Sequence, residues 1–255
     1  MTHTPWDVAV IVPFLNAEAT LAEAVDSLVG QTAFERMHVI LVDNSSTDGS
    51  PAIAAAYAAA HPNIEVTHRV GGGCGGARNA GLPLAVEPYV TFLDADDLLL
   101  PESVEQRLAL ATSTGSDVVL GAMETFPVVR PYTPVDLYAH DRVVEGVAED
   151  RRLVHTANVS AILFRRDFFD DPANQFLEDM PFEDVSVTTA ALVLARRIAV
   201  SSYVGYRYRK DPAAATIMST AHSRPGNYRD HLTINALVHD RHRHDPSPRK
   251  PSVTC

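Results

Sequence analysis

Cysteine is scarce in this sequence: Cys74 and Cys255 are the two among 255 residues. Two cysteines so far apart make neither a disulfide framework nor a zinc site, which favours a reducing compartment over a secreted one. Long apolar runs are also missing. None approaches the roughly 20 residues that cross a bilayer as a helix. The stretch Val8 to Leu15 is apolar, but it contains Pro13 and has no basic leader, so it does not read as a signal peptide. Basic residues are outnumbered, 21 Lys and Arg against 32 Asp and Glu, for a net charge of −11. That argues against a general nucleic-acid binder, which needs a basic face. Internal repeats are absent. What remains is a globular chain, 46% hydrophobic, long enough for one large domain or two small ones. The expected location is cytoplasmic, with peripheral contact at the inner face of the membrane left open.

Short apolar runs alternate with helical patterns. Val8 to Val12 is a β-branched run ending at Pro13; His38 to Val42 is another, ending at Asp43. Between them Leu21, Val25, Leu28 and Val29 recur at helical spacing, predicting a helix over 17–29 with Asn16 as its cap. Ser50, with a hydroxyl to cap the helix, followed by Pro51 is a helix start, and His61-Pro62-Asn63 a stop. Ile64 to Thr67 reads as a third strand, 89–93 as a fourth, 101–112 as a helix and Asp117 to Leu120 as a strand. Strand–helix alternation predicts an α/β domain with a mostly parallel sheet and right-handed crossovers. The second half is less regular. Residues 124–150 read as a long connection, 161–164 as a strand, 182–194 as a helix and 198–200 as a short strand. Residues 239–255, with His239, His242 and His244, read as a frayed polar tail.

The fourth strand stops at three carboxylates, Asp94, Asp96 and Asp97. In open α/β sheets ligands bind outside the carboxyl ends of strands. Acids this close repel, and their full ionisation is most tolerable beside a cation. Hard oxygen ligands select Mg²⁺ or Mn²⁺, held through one or two carboxylates and substrate phosphates. The competing reading is a solvated acidic turn that caps the helix beginning at Pro101.

The run Gly71-Gly72-Gly73-Cys74-Gly75-Gly76 matches a dinucleotide fingerprint, which raises an NAD-type oxidoreductase as a rival. In such domains the fingerprint follows the first strand; here the first strand ends at Pro13 without glycine. A phosphate-binding P-loop fails as well, because Ala77 stands where Lys is required. A flexible loop with exposed N–H groups remains, with Arg78 able to pair a phosphate; a mobile loop and a surface arginine is the alternative. Cys74, beside a helix start, could have a lowered pKa. Asp43 can bind a base or ribose, or cap its own turn. Asp184 can act as a general base or simply favour a helix N-terminus. Arg207, Arg209 and Lys210 can neutralise phosphate or form a solvated edge.

In order along the chain, Val10-Ile11-Val12-Pro13-Phe14-Leu15-Asn16, Val42 to Ser50, Gly75-Gly76-Ala77-Arg78-Asn79-Ala80-Gly81-Leu82, Phe92-Leu93-Asp94-Ala95-Asp96-Asp97 and Phe182-Glu183-Asp184-Val185 resemble the successive motifs of family 2 glycosyltransferases. The resemblance is close over about 8–115 and thinner over about 155–220. It implies an α/β GT-A (Rossmann-like) α/β/α sandwich, a nucleotide-sugar donor with a UDP-sugar as first expectation, Mn²⁺ or Mg²⁺, an acceptor hydroxyl on a saccharide, a cell-envelope polymer or a secondary metabolite, and inversion at the anomeric carbon. It places Pro13, Phe14, Asn16, Asp43, Ser45, Arg78, Asp94, Ala95, Asp96 and Glu183 at the nucleotide-sugar, Asp96 on the metal and Asp184 as catalytic base. Where many relatives carry His after Tyr-Arg, Tyr208-Arg209 is followed by Lys210-Asp211, with Thr216, Ser219 and Thr220 beyond. That resembles the wall-polymer and capsule branch and implies Arg209 and Ser219 at the diphosphate. The expected layout is one domain over 1–220, with a nucleotide-sugar half (1–120) and an acceptor and catalytic half (121–220), then a C-terminal helix and tail over 221–255. A non-catalytic nucleotide-sugar-binding protein is the second rival.

Overall fold

The computed structural model describes residues 6–155 and 158–210. Ser219, the tail histidines and the expected C-terminal helix lie outside them. In chain order the elements are β1 (Val8–Phe14), α1 (Leu21–Val29), β2 (Met37–Asp43), α2 (Ser50–Ala60), β3 (Ile64–His68), α3 (Gly73–Gly81), β4 (Tyr89–Phe92), β5 (Leu98–Leu99), α4 (Ser103–Thr114), β6 (Val118–Phe126), β7 (Arg130–Pro131), β8 (Arg142–Val144), β9 (Ile162–Arg165), α5 (Glu183–Leu194) and β10 (Ile198–Arg209).

One sheet takes all ten strands, in the order β3-β2-β1-β4-β9-β6-β10-β5, with β7 on β6 and β8 on β10. β1 and β2 are buried along their whole length. Strands covered on both faces read as continuous apolar runs, which is why they stand out in the sequence. Successive residues feed opposite cores. Val8, Val10 and Val12 pack with α1 and α4 through Leu21, Val25, Leu28, Val104 and Leu108. Ala9 and Ile11 face the other side, with Ala77 of α3 and Val187, Ala190 and Ala191 of α5. The result is the expected α/β/α sandwich.

The parallel expectation holds for β3-β2-β1-β4 and for β6 with β10. Between these blocks β9 runs antiparallel to both β4 and β6. β1, β2, β3, β4, β6 and β10 therefore all point one way, and their carboxyl ends share one edge. β6 crosses the expected half boundary at residue 120, so a single sheet joins the halves. β10 continues to Arg209, far past the short strand expected over 198–200.

Three local expectations are corrected. The helix expected from residue 17 starts at Leu21, after Thr20, and Asn16 does not cap it. Asn16 has φ 50°; its Oδ1 accepts the Thr47 N–H at 2.8 Å, so it braces the turn after β2 instead. Ser50 does not cap α2 with its own hydroxyl, which donates to Asp48 Oδ1 (2.6 Å) and accepts from the Ala17 N–H (2.8 Å). The glycine run is a loop only at Gly71 and Gly72. Gly73 opens α3, and the Gly76 N–H is spent on the Gly72 carbonyl at 2.8 Å. Isolated propensity disfavours glycine in a helix; here packing wins. A Cβ at Gly75 would lie 2.1 Å from the Leu177 carbonyl oxygen, and one at Gly81 2.7 Å from the Ile11 side chain. Only glycine lets α3 approach β1 and the 176–179 segment this closely.

Candidate functional site

The common strand edge gathers the chemistry. β4 ends just before Asp94, and α3 brings Arg78 beneath it. The Arg78 guanidinium is buried. One terminal nitrogen donates to Asp94 Oδ1 at 2.6 Å and the other to Glu183 Oε1 at 2.5 Å. Its flat face lies over Phe176, 5.3 Å from the ring centre. Both forks of this arginine are therefore taken by carboxylates from distant parts of the chain.

Glu183 and Asp184 form the first turn of α5, where the helix dipole favours negative charge. The preceding Phe182 has φ 60°. To reach that position from the far end of β9, the chain climbs back along an aromatic cluster. Phe92 meets Phe164, Phe169 and Phe176 edge-on, with centroids 6.0, 5.9 and 5.1 Å apart. Asn79 then clasps the returning segment, donating to the Phe176 carbonyl at 3.0 Å and accepting the Phe176 N–H at 2.9 Å. Burial pushes the Asp184 carboxyl up to about 6; Glu183 adds to the rise and Arg78 opposes it.

The three carboxylates after β4 separate into different roles. Asp94 is the partner of Arg78. Asp96 is exposed at its surface and takes no ion pair among the described residues. Desolvation of the carboxyl, then the Asp94 charge, raises its pKa. Asp97 turns inward: Oδ2 accepts the Tyr206 hydroxyl and Oδ1 accepts the Arg209 N–H at 2.6 Å. Burial, with Asp94 and Asp96 nearby, raises Asp97 as well. None of the three caps α4, which starts at Ser103 after Glu102. Ala95 is buried between them. Among the described residues no group of three or more His, Cys, Asp or Glu is arranged to hold a metal ion. One exposed carboxylate fits a hard cation whose remaining ligands are phosphate oxygens and water.

Pro13 and Phe14 end β1 at the same edge, and both are buried. Asp43 ends β2; its Oδ1 accepts the Ser46 N–H at 2.8 Å, and its Oδ2 is 3.4 Å from His68 Nδ1. The turn-cap alternative therefore describes half of this carboxylate. Ser45, with φ 69°, donates to the Arg69 carbonyl at 3.1 Å. Arg209 arrives on β10 and bonds the Asp96 carbonyl through Nε at 2.6 Å and Glu23 through Nη2 at 2.5 Å. It also stacks over Phe126, 4.3 Å from the ring centre. Arg207 is paired with Glu124 at 2.6 Å, and the Lys210 ammonium lies over Tyr132. Cys74 does not have the lowered pKa considered above. Although the residue reaches the surface, desolvation of the thiol raises it; Arg78 opposes the rise, and Asp94, Glu183 and Asp184 add to it.

Sequence reasoning missed the roles of Glu178, Tyr206 and Asp97. Glu178 pairs with Arg69 at 2.6 Å and braces the segment beside α3. Tyr206 lies in the Tyr-Arg-Tyr-Arg stretch whose arginines drew attention, and its own signal was β alternation, which turns it into the core.

This fold defines a class, the GT-A glycosyltransferases. Staphylococcus aureus TarS, residues 1–349, solved with UDP-GlcNAc, superposes with a TM-score of 0.80 at 26% identity, over 95% of this chain and 68% of that one. The model of glycosyl transferase family 2 matches residues 9–171, and the chain belongs to that family. The uncharacterized glycosyltransferase EpsJ of Bacillus subtilis strain 168 is 31% identical over 217 residues, which cover 82% of this chain and 62% of EpsJ. The minor teichoic acid biosynthesis protein GgaB of the same strain is 37% identical over 123 residues, 48% of this chain and 14% of GgaB. The chain thus spans under two thirds of the length of EpsJ. Among the described residues no helix is long and apolar enough to cross a membrane.

Proposed function

We propose that this domain transfers a sugar from a UDP-sugar to a hydroxyl of a saccharide or cell-envelope acceptor, with inversion and with Mn²⁺ or Mg²⁺. The observation that carries the reading is the Arg78 bridge, which holds Asp94 of the donor-side motif and Glu183 of the base-side motif in one cluster. TarS, seen with UDP-GlcNAc, supports UDP as the nucleotide, and the likeness to GgaB supports an envelope polymer as acceptor. Work at the inner face of the membrane fits such an acceptor.

Pro13, Phe14, Asn16, Asp43 and Ser45 line the side of the edge where the base and ribose lie. Asp94, steadied by Arg78, and the Ala95 main chain border the sugar and phosphates. Asp96 would hold the metal. That ion, when bound, neutralises charge developing on the leaving diphosphate. Arg209 and Ser219 are the proposed further contacts to the diphosphate. Asp184, ionised above about pH 6, removes the acceptor hydroxyl proton as the oxygen attacks the anomeric carbon from the face opposite the diphosphate. A base poised just below neutral pH suits the task. Glu183 stays engaged with Arg78 and fixes the start of α5.

The test is thermal unfolding with UDP, GDP, dTDP or NAD, each with Mn²⁺ and with EDTA. Ligands that bind the folded state raise its stability by mass action. Stabilisation by UDP that needs Mn²⁺ supports the donor site; stabilisation by NAD alone sinks it in favour of an oxidoreductase. The glycine run follows β3, not the first strand as a dinucleotide fingerprint does, which weighs against that rival. Donor binding without transfer or donor hydrolysis would leave the non-catalytic reading standing.

A further inference from the structure

Arg209 and the turn after β4 are joined by a reciprocal pair of hydrogen bonds. The Arg209 N–H donates to Asp97 Oδ1 at 2.6 Å, and its Nε donates to the Asp96 carbonyl at 2.6 Å. Side chain thus holds main chain in both directions, closing a ring between residues 113 positions apart. The second Asp97 oxygen accepts the hydroxyl of Tyr206, a fully buried side chain on the same strand, three residues before Arg209. Beyond the ring, Glu23 of α1 takes Arg209 Nη2 and Phe126 of β6 lies under the guanidinium. Asp97 has little access to solvent, so it is the inward half of an acidic pair whose outward half is Asp96.

We infer that Asp97 and Tyr206 are positioning residues for the donor site: they fix Arg209, and through it the Asp96 main chain, so that the Asp96 carboxylate is presented at one place. Neither touches the donor. This rests on the proposal that UDP and a divalent cation bind at this strand edge. Holding a ligating group within a few tenths of an ångström by supporting hydrogen bonds is what a preorganised site requires. Two polar atoms on one small side chain are needed, because the Arg209 N–H and the Tyr206 hydroxyl converge on it. An alanine at this position satisfies neither. An asparagine is isosteric; its oxygen can accept the Arg209 N–H while its amide donates to the Tyr206 oxygen.

The experiment is calorimetric titration of the full chain with UDP in the presence of Mn²⁺, with donor KM and kcat measured in parallel. The variants are Tyr206→Phe, Asp97→Ala, Asp97→Asn, Arg209→Ala and the double variant Tyr206→Phe with Arg209→Ala, all at a temperature where each is folded. The expected result is a loss of UDP affinity of about fivefold to tenfold for Tyr206→Phe, the size of one ordinary net hydrogen bond. The loss is larger for Asp97→Ala and largely rescued in Asp97→Asn. It appears chiefly in donor KM, and Tyr206→Phe costs nothing further once Arg209 is gone. A merely structural role would lower the melting temperature and leave UDP affinity and KM of the folded molecules unchanged; that outcome overturns the inference, as does full additivity in the double variant. If the unaltered protein binds no UDP with Mn²⁺, the donor-site reading itself has failed and the inference falls with it, a result read before any variant is made.

Discussion

Arg78 and Glu183 stand 105 positions apart in the chain and 2.5 Å apart in space. The same guanidinium holds Asp94 at 2.6 Å, so one buried cation ties the end of β4 to the start of α5. Three carboxylates, Asp94, Glu183 and Asp184, share that cation's field.

Removing it leaves the acids facing one another. Arg78→Ala is expected to cost about 3–5 kcal/mol, the usual result of breaking a buried ion pair from one side. Arg78→Lys recovers only part, since an ammonium cannot reach two carboxylates with a planar fork. Urea unfolding of the three proteins measures both losses; an Arg78→Lys variant as stable as the parent would refute the bridging role.

Asp184→Asn is expected to lower transfer by at least about 100-fold, the low end for general base catalysis, while UDP affinity stays within about twofold of the parent. In the parent, kcat/KM rises with pH and levels off above about 6, where the Asp184 carboxyl is ionised. The same raised pKa carries an opposite consequence for stability. Because the unfolded chain loses this proton more readily than the folded one, Asp184 destabilises the fold progressively as pH rises from about 4 to about 6. Asp184→Asn therefore melts higher than the parent at pH 7, and the gap closes toward pH 4. Scanning calorimetry at several pH values, beside a transfer assay, checks both signs.

Gly75→Ala sets two effects against each other. In an open helix the change would stabilise by about 1 kcal/mol. Here the new methyl meets the Leu177 carbonyl oxygen at 2.1 Å, and main chain does not move aside cheaply. The clash wins, at about 1–3 kcal/mol, and the displaced segment loosens Asn79 and Glu178. Thermal unfolding gives the cost; a variant more stable than the parent would mean the close approach does not exist in solution.

At the opposite edge of the sheet His38 lies between Glu87 (3.0 Å, Nδ1) and Glu65 (3.1 Å, Nε2), with Trp6 stacked on its ring. Burial lowers the His38 pKa, but the two glutamates together raise it above the ordinary value. A folded pKa above the unfolded one adds stability below pH 6.5 that is lost as pH rises through the folded value. The melting temperature should fall across that alkaline window in the parent and less so in His38→Gln. Equal pH profiles would refute the coupling.

Much of this was legible in the residues. The runs ending at Pro13, Asp43 and Asp94 are buried on both faces, and such strands show themselves without homologues. The order of motifs along the chain singled out Arg78, Asp94 and Glu183, which the structure joins in one ion-paired cluster. What was hidden depends on tertiary contact. Propensity made residues 71–76 a loop, whereas α3 starts at Gly73 and the nearby Leu177 carbonyl leaves no room for a side chain at Gly75. Asn16 has the chemistry of a helix cap, but its side-chain oxygen is taken by the Thr47 N–H. Three neighbouring aspartates look equivalent in sequence; Tyr206 and Arg209, more than a hundred residues later, decide which one turns inward. The antiparallel β9 left no local mark, since its apolar run reads the same in either direction.

That strand also sets an order of assembly. β4 has β1 on one side and β9 on the other, and Thr91 is capped by the Ile162 carbonyl at 2.7 Å. While the chain is being synthesised, the first four parallel strands can form long before residue 162 exists. Until then the far side of β4 is an open sheet edge, the kind that recruits strands from other molecules. Partners this distant in sequence close slowly. The nascent β1–β4 half is thus the aggregation-exposed stage of this protein's life, and the arrival of β9 ends it.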